Sequence, residues 1–238
     1  MRIGVFQDVH ANLPALEQAI KFFKEASCQK IVHVGDLLGI GPFPKECLEL
    51  ALRIDEMELI MGNHDYWYAY GLPDPIPTWM SAEEVEHQHW THDQLGELNK
   101  KQVKHWKFTS KIKVQDQKIV FQHYGLTEQG NWFKSIIKHP TIDNVDSLFE
   151  DVHADVFFYG HHHQPSDLTT SLGRYVNLGS AGCYDKAEVR LAIVEILDQK
   201  VVVEKHSVLY EDNGLMEAFT ERKVPARDFI RKVFIKRT

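Results

Sequence analysis

Apolar positions fall in short runs separated by polar, turn-forming stretches, and the spacing inside each run predicts its element. Residues 2–6 (RIGVF) read as a short buried strand. Leu13, Leu16, Ile20 and Phe23 then recur at steps of three and four, the period of one buried helical face. Asn12 is placed to cap that helix, and Pro14 suits its first turn. Residues 30–36 (KIVHVGD) form the next strand. A turn from Gly39 to Pro44 leads to a helix over about 44–53, and residues 57–61 (MELIM) are a third strand. Strand–helix–strand–helix–strand in this order implies parallel strands joined by crossover helices.

Residues 64–110 break that alternation. Tyr66, Trp67, Tyr68 and Tyr70 precede a PDPIP segment, and Ser81 with Glu84 and Asn99 with Gln102 read as two capping-box helix starts. A helical cap excursion over 66–110 is expected. The chain then turns β-rich. Lys111–Gln115 and Lys118–Gln122 flank Asp116-Gln117 as a hairpin, and Asp155–Tyr159 is an apolar strand. Two short strands flank Gly173, Leu191–Ile196 pairs with Val201–Lys205, and residues 226–236 form a basic terminal helix with Phe229, Ile230, Val233 and Phe234 as its apolar positions. There is no repeat, low-complexity stretch or linker composition, so one domain over 1–238 is expected.

Composition narrows the class. A chain of 238 residues with 43% hydrophobic and 26% charged residues is long enough to bury a core without disulfides or a structural metal. The 27 Lys+Arg against 34 Asp+Glu give −7, which disfavours a stable nucleic-acid complex or an anionic-membrane binder. The last 18 residues run the other way, with seven Lys/Arg and two Asp/Glu, as a solvated amphipathic helix or a cationic edge that steers a polyphosphate. Cys28, Cys47 and Cys183 are odd in number and widely spaced, which implies a reducing compartment. With no apolar run of membrane-spanning length and no signal-peptide pattern at residues 1–10, a cytoplasmic location is expected. The sequence is compatible with a homo-oligomer.

The departure from an ordinary composition is 14 histidines. Several sit just past predicted strands, beside carboxylates and an amide. Asp8 and His10 follow the first strand, Asp36 the second, and Asn63 and His64 the third. His123 follows the strand ending at Gln122, and His161, His162 and His163 follow the strand ending at Tyr159. In open α/β sheets ligands bind beyond the carboxyl ends of the strands. Imidazole with carboxylate oxygen suits divalent transition ions, and the absence of cysteine from the set argues against a structural zinc site. The donors are too many for one ion with open positions and suffice for two if one carboxylate bridges. Paired ions are a recurrent device for phosphoryl transfer.

Asp-x-His at 8–10, Gly-Asp at 35–36, Gly-Asn-His-Asp at 62–65, a lone His123 and Gly-His-x-His at 160–163 resemble, in that order, the calcineurin-like metallophosphoesterases. NLGS at 177–180 resembles the family's Asn-Pro-Gly-Ser turn. Asn-Leu-Pro-Ala-Leu at 12–16 and Trp-Thr-x-x-x-Leu at 90–95 resemble its small prokaryotic phosphodiesterase branch. The resemblance implies an α/β (α+β) fold, a four-layer αββα sandwich of two mixed β-sheets with a helical cap insertion. It implies two divalent ions, manganese first among manganese, iron, zinc and nickel. Asp8, His10 and His163 would hold one ion, and Asn63, His123 and His161 the other. Asp36 would bridge them, and His64 would act on the leaving group. It further implies a metal-dependent phosphoric ester hydrolase in which a metal-bridging hydroxide attacks a small phosphodiester or a nucleotide phosphoanhydride such as a dinucleoside polyphosphate.

Departures from the family pattern touch no ligand position. Gln7 stands for a common Ser, Ala11 for Gly, His162 for Thr and Leu178 for Pro. The protein-phosphatase branch carries an Arg after the bridging Asp to clamp a dianion. Here LLGIGP follows Asp36, which suits a diester. Two alternatives are a phosphomonoesterase or protein phosphatase, and a catalytically idle interaction scaffold of the same fold. Trp67 and Trp90 are the tentative substrate contacts, as base-stacking rings above the ions. Asp65 is expected to cap the following helix or orient a neighbour. His33 is expected to be a hydrogen-bonded core residue, and His87, His89, His92 and His105 ordinary residues of the excursion.

Overall fold

The computed structural model describes residues 1–97, 99–114, 116–150, 152–197, 200–212 and 214–236. Strands β1 (Arg2–Phe6), β2 (Lys30–His33) and β3 (Met57–Leu59) are parallel and joined through α1 (Leu13–Glu25) and α2 (Pro44–Ala51). Asn12 caps α1 through its side chain, which accepts the Ala15 N–H at 3.2 Å. Ala15, Leu16, Ala19, Ile20 and Phe23 form the buried face of α1, as the spacing predicts.

The first sheet has the order β10-β9-β1-β2-β3 and the second β4-β5-β6-β8-β7. The added strands are β4 (Thr109–Val114), β5 (Gln117–Gln122), β6 (Val156–Phe158), β7 (Ser166–Thr169), β8 (Arg174–Asn177), β9 (Glu188–Leu197) and β10 (Lys200–Leu209). Both sheets mix parallel and antiparallel pairs. Alternate residues of each inner face meet in one dry layer: Ile3, Val5 and Val32 from the first sheet, Ile119, Phe121 and Phe158 from the second. Helices α1 and α2 cover the outer face of the first sheet. The outer face of the second is covered by chain around a 3₁₀ turn at Val145–Leu148. The expected αββα layering of two mixed sheets is therefore present, with a thin fourth layer.

Helices α3 (Asn63–Tyr70), α4 (Ala82–Leu95) and α5 (Lys100–Val103) occupy the excursion. Ser81 caps α4 by accepting the Glu84 N–H at 3.1 Å. Asn99 precedes α5 but makes no side-chain cap, because its own backbone is already helical, with φ −99° and ψ −1°. The hairpin forms between β4 and β5, and Gln115 of the expected first strand lies outside the described residues. Strands β9 and β10 run longer than the apolar pattern predicts. The first sheet ends on β10, whose exposed positions carry Lys200, Glu204, Lys205 and Ser207, charges and a hydroxyl that guard an edge, beside Val202 and Leu209. After α6 (Leu215–Glu221), the expected terminal helix is a short α7 (Arg227–Ile230) continued by a π-type turn over Arg231–Ile235.

His33 departs from expectation. Its ring is fully buried edge-on against Phe6, and neither nitrogen has a hydrogen-bond partner among the described residues. Burial lowers its pKa to about 3, so it is a neutral aromatic filler. No helix among the described residues is long and apolar enough to cross a membrane.

Candidate metal centre

Strand register sets the site. Phe6 pairs with His33 and His33 with Leu59, so β1, β2 and β3 end level with one another. Phe121 pairs with Phe158 and Phe158 with Val176, so β5, β6 and β8 do the same in the facing sheet. Polar residues just beyond these ends therefore meet across the sandwich. The loops are bound together as well: Asp8 N–H donates to Gly35 O, His10 N–H to Asp36 O, and Ala11 N–H to Leu37 O.

The backbone there is unusual. Asp8, His10, Asp36 and His161 all have positive φ, at 53°, 49°, 57° and 72°. Non-glycine residues take this left-handed conformation at a steric cost, and it concentrates where surrounding structure imposes it for function. Gly62 answers a tighter constraint. A Cβ there would come within 2.2 Å of both the backbone nitrogen and Oδ1 of Asp36.

The predicted donors converge. His123 Nε2 lies 3.3 Å from Asp36 Oδ2 and 3.2 Å from Asn63 Oδ1, and His161 Nδ1 lies 2.8 Å from the same Asn63 oxygen. His10 Nε2 is 2.9 Å from His163 Nε2 and 3.9 Å from both Asp8 Oδ1 and Asp36 Oδ2. Asp36 belongs to two donor groups, one with His10 and His64 and one with His123 and His161.

This donor set fits divalent cations. His10 and His123 each donate Nδ1–H to a backbone carbonyl, of Leu38 at 3.2 Å and Val34 at 2.9 Å, which turns the Nε2 lone pair into the site. Asp8 Oδ2 is buried with no hydrogen-bond partner among the described residues. Burial, the like charge of Asp36 adding to it, pushes the Asp8 carboxyl up. Burial acts the same way on Asp36, but His123 and His64 outweigh it and hold that carboxyl well below the usual range. His123 is raised against burial by Asp36 and Asp8, to about 9. The metal-free cluster thus takes up protons where cations would go. His10 and His161 are held well below the ordinary imidazole value, and His163 falls to about 4, chiefly by burial, which leaves three neutral rings.

A scan against family models matches residues 1–199 to the calcineurin-like phosphoesterase superfamily domain. The chain belongs to that superfamily. Among curated proteins, an uncharacterized protein of Methanocaldococcus jannaschii is 27% identical over 177 residues, which span 68% of this chain and 63% of that relative. Among solved structures, a hypothetical protein from Pyrococcus horikoshii superposes with a TM-score of 0.79 at 18% identity, covering 98% of both chains. A metallophosphoesterase from Sphaerobacter thermophilus gives 0.72 at 22% identity, covering 97% of this chain and 96% of that one. These two likenesses speak to the fold.

The donor cluster opens into a cleft of about 990 Å³. His64 and Trp67 line it, with their rings edge-to-face at 4.8 Å. Trp90 is not among the lining residues. It stacks on His87 and packs with the cluster that holds Cys183 and Leu215. Trp79 lines the rim of the cleft, 63% exposed. His162 packs its ring against Tyr124, outside the lining.

Sequence reasoning missed three contributors. Gln88 of α4 donates Nε2–H to His64 Nδ1 at 2.9 Å. His87, expected to be ordinary, lines the cleft beside it. Phe234 of the terminal turn lies with its ring 5.7 Å from His163, so the C-terminal segment forms a wall of the cleft.

Asp65 orients its neighbours. Its buried carboxylate accepts backbone N–H groups from Asp36 at 2.9 Å, Gly62 at 3.0 Å and Leu38 at 3.1 Å, tying the loop after β2 to the start of α3. Asp65→Ala strands three buried donors and should lower stability by about 3 kcal/mol in urea unfolding. A loss under about 1 kcal/mol would show that these bonds are dispensable.

Proposed function

We propose that this protein is a dinuclear-metal phosphoesterase acting on phosphodiesters or nucleotide phosphoanhydrides. The carrying observation is the shared carboxylate: Asp36 sits in two donor groups, with His64 beside it. Asp8, His10 and His163 would hold one divalent transition ion and Asn63, His123 and His161 the other, with Asp36 common to both. When bound, such ions supply Lewis-acid polarisation of phosphoryl oxygens and acidify water.

The chain's own residues do the rest. The Gln88 amide donates into His64 Nδ1, so a neutral His64 carries its proton on Nε2. Burial lowers the pKa of His64 and keeps the ring neutral. The Nε2–H then donates to the leaving-group oxygen as negative charge builds there. The edge-on rings of His10 and Trp67 hold His64 in place.

The walls support a diester over a monoester. Among the described residues no arginine lines the cleft, and a bidentate guanidinium clamp is the usual partner of a dianion. Trp79, Trp132, Phe229 and Phe234 line the cleft and suit organic groups on either side of a phosphate. In this reading residues 66–110 form the cap within a single domain over 1–238.

A substrate panel after Mn²⁺ reconstitution tests the proposal. Bis-nitrophenyl phosphate and dinucleoside polyphosphates should be hydrolysed and phosphomonoesters spared, with elemental analysis giving about two ions per chain. Monoesters as the only substrates, or no bound ion, would sink it. Trp79→Ala should raise KM for dinucleoside polyphosphates by about 5- to 150-fold, the equivalent of ~1–3 kcal/mol of stacking, with little effect on bis-nitrophenyl phosphate. Equal shifts on both substrates would remove Trp79 from base recognition.

A further inference from the structure

In the sequence Cys183 is one of three widely spaced cysteines and has no evident partner near it along the chain. The fold brings it to the metal centre. Its Sγ and the ring nitrogens of His10 and His163 all lie within 4.8 Å of one another. We infer that the Cys183 thiolate is a further donor to the ion held by His10 and His163, and that this position selects a softer ion than its neighbour does. The inference rests on the dinuclear reading above.

The placement of Cys183 is built rather than incidental. Residues 180–183 are stitched to the segment that carries Asp8 and His10. Ala181 N–H donates to Gln7 O at 2.9 Å, Gly182 N–H to Asp8 O at 3.0 Å, and Ser180 Oγ–H to Asp8 O at 2.7 Å. Ser180 Oγ in turn accepts the Cys183 N–H at 2.7 Å. The contact is so close that a Cβ at Gly182 would fall 1.8 Å from Val9 O. The sulfur therefore belongs to the same rigid unit as two of the proposed ligands.

The surroundings also suit a thiolate ligand. Cys183 is 4% exposed, and its other side packs with Ile40, Leu215, Phe219 and Ile230. That dry wall excludes competing water and lowers the local dielectric, which strengthens a thiolate–cation bond. Beside Asp8, His10, Asp36 and His163, Cys183 would be a fifth protein donor; neighbouring donors on such an ion sit roughly 2.8–3.3 Å apart at bonds of about 2.0–2.3 Å, so the three atoms now within 4.8 Å of one another would draw in on binding. On coordination the thiol proton passes to solvent and the sulfur lone pair to the ion.

The two positions then differ in kind. Thiolate favours zinc, iron or cobalt over manganese, whereas Asn63, His123 and His161 offer only oxygen and nitrogen. A mixed pair, with the softer ion beside Cys183, follows in place of two like ions.

Cobalt spectroscopy on the full chain is the test. The metal-stripped protein is titrated with Co²⁺ alone. Visible ligand-field bands report binding, and a near-ultraviolet sulfur-to-cobalt charge-transfer band reports a thiolate ligand. Wild type should show both. Cys183→Ala should lose the charge-transfer band and keep the visible bands, while Cys28→Ser should keep both. Cys183→Ser replaces the alanine variant if circular dichroism shows the latter unfolded. Visible bands without charge transfer in wild type, or charge transfer surviving in Cys183→Ala, would overturn the thiolate and leave the dinuclear reading standing. No visible bands at all would overturn both.

Discussion

Asp36→Asn should abolish the activity more completely than any other single substitution. The change keeps the side-chain volume and an oxygen that can accept the His64 N–H, now held at 2.9 Å. It removes the charge that two donor groups share. Paired ions contribute several kcal/mol of transition-state charge stabilisation, and at 1.36 kcal/mol per decade turnover should fall by about 10³-fold or more. Bound metal should drop from about two ions per chain to one or none. The rise in melting temperature that metal gives the wild type should shrink with it, because only ligand bound to the folded state stabilises that state. A variant that still holds two ions by elemental analysis would remove Asp36 from the bridging position.

His64→Ala should separate chemistry from metal binding. The ring touches Gln88, His10 and Trp67, and in the proposed arrangement it holds no ion. Loss of a positioned hydrogen-bond donor to developing charge costs typically ~10²–10³-fold in turnover, so kcat should fall by that amount while metal content stays at wild-type level. The defect should be smallest on substrates whose leaving-group oxygen builds up little negative charge, such as nitrophenolate. Wild-type kcat on a dinucleoside polyphosphate would strip His64 of this role, and a parallel loss of metal would make it a ligand.

Much of the centre is legible in the sequence because of how the strands end. Asp8, Asp36, Asn63, His123 and His161 each follow a short apolar run by a few residues, and the paired register brings those run ends level. Chain order and donor chemistry then carry the pattern. The walls of the cleft are not legible in the same way. Gln88 sits on α4, whose face toward the site is polar, so no apolar periodicity marks it. Cys183 and Phe234 reach the site through loop and terminal segments whose neighbours along the chain say nothing about distant partners. Trp90 is another case: its motif places it on a helix without saying which side of that helix it faces, and in the fold it stacks on His87 away from the cleft lining. The missing side-chain cap at Asn99 shows that residue type permits a cap only where the backbone is extended to make it. His33 shows that a buried imidazole can do without a partner by staying neutral.

The donors come from both sheets: Asp8, His10, Asp36 and Asn63 from segments that follow strands of the first, His123, His161 and His163 from segments that follow strands of the second. Neither half of the sandwich holds a complete set by itself. During folding the centre must therefore be assembled late, after the two sheets have docked face to face. A partly folded chain with only one sheet formed has no site to load, so a premature or mismatched ion finds little to hold it. In the proposed dinuclear centre, bound ions would act as rivets across the seam once both sheets are in place. Removing them with a chelator should loosen the edge where the strands end before it disturbs the dry layer of Ile3, Val5, Phe121 and Phe158 between the sheets. Hydrogen exchange at the loops after β1, β5 and β6 would register that ordering as fraying that begins at the mouth of the cleft.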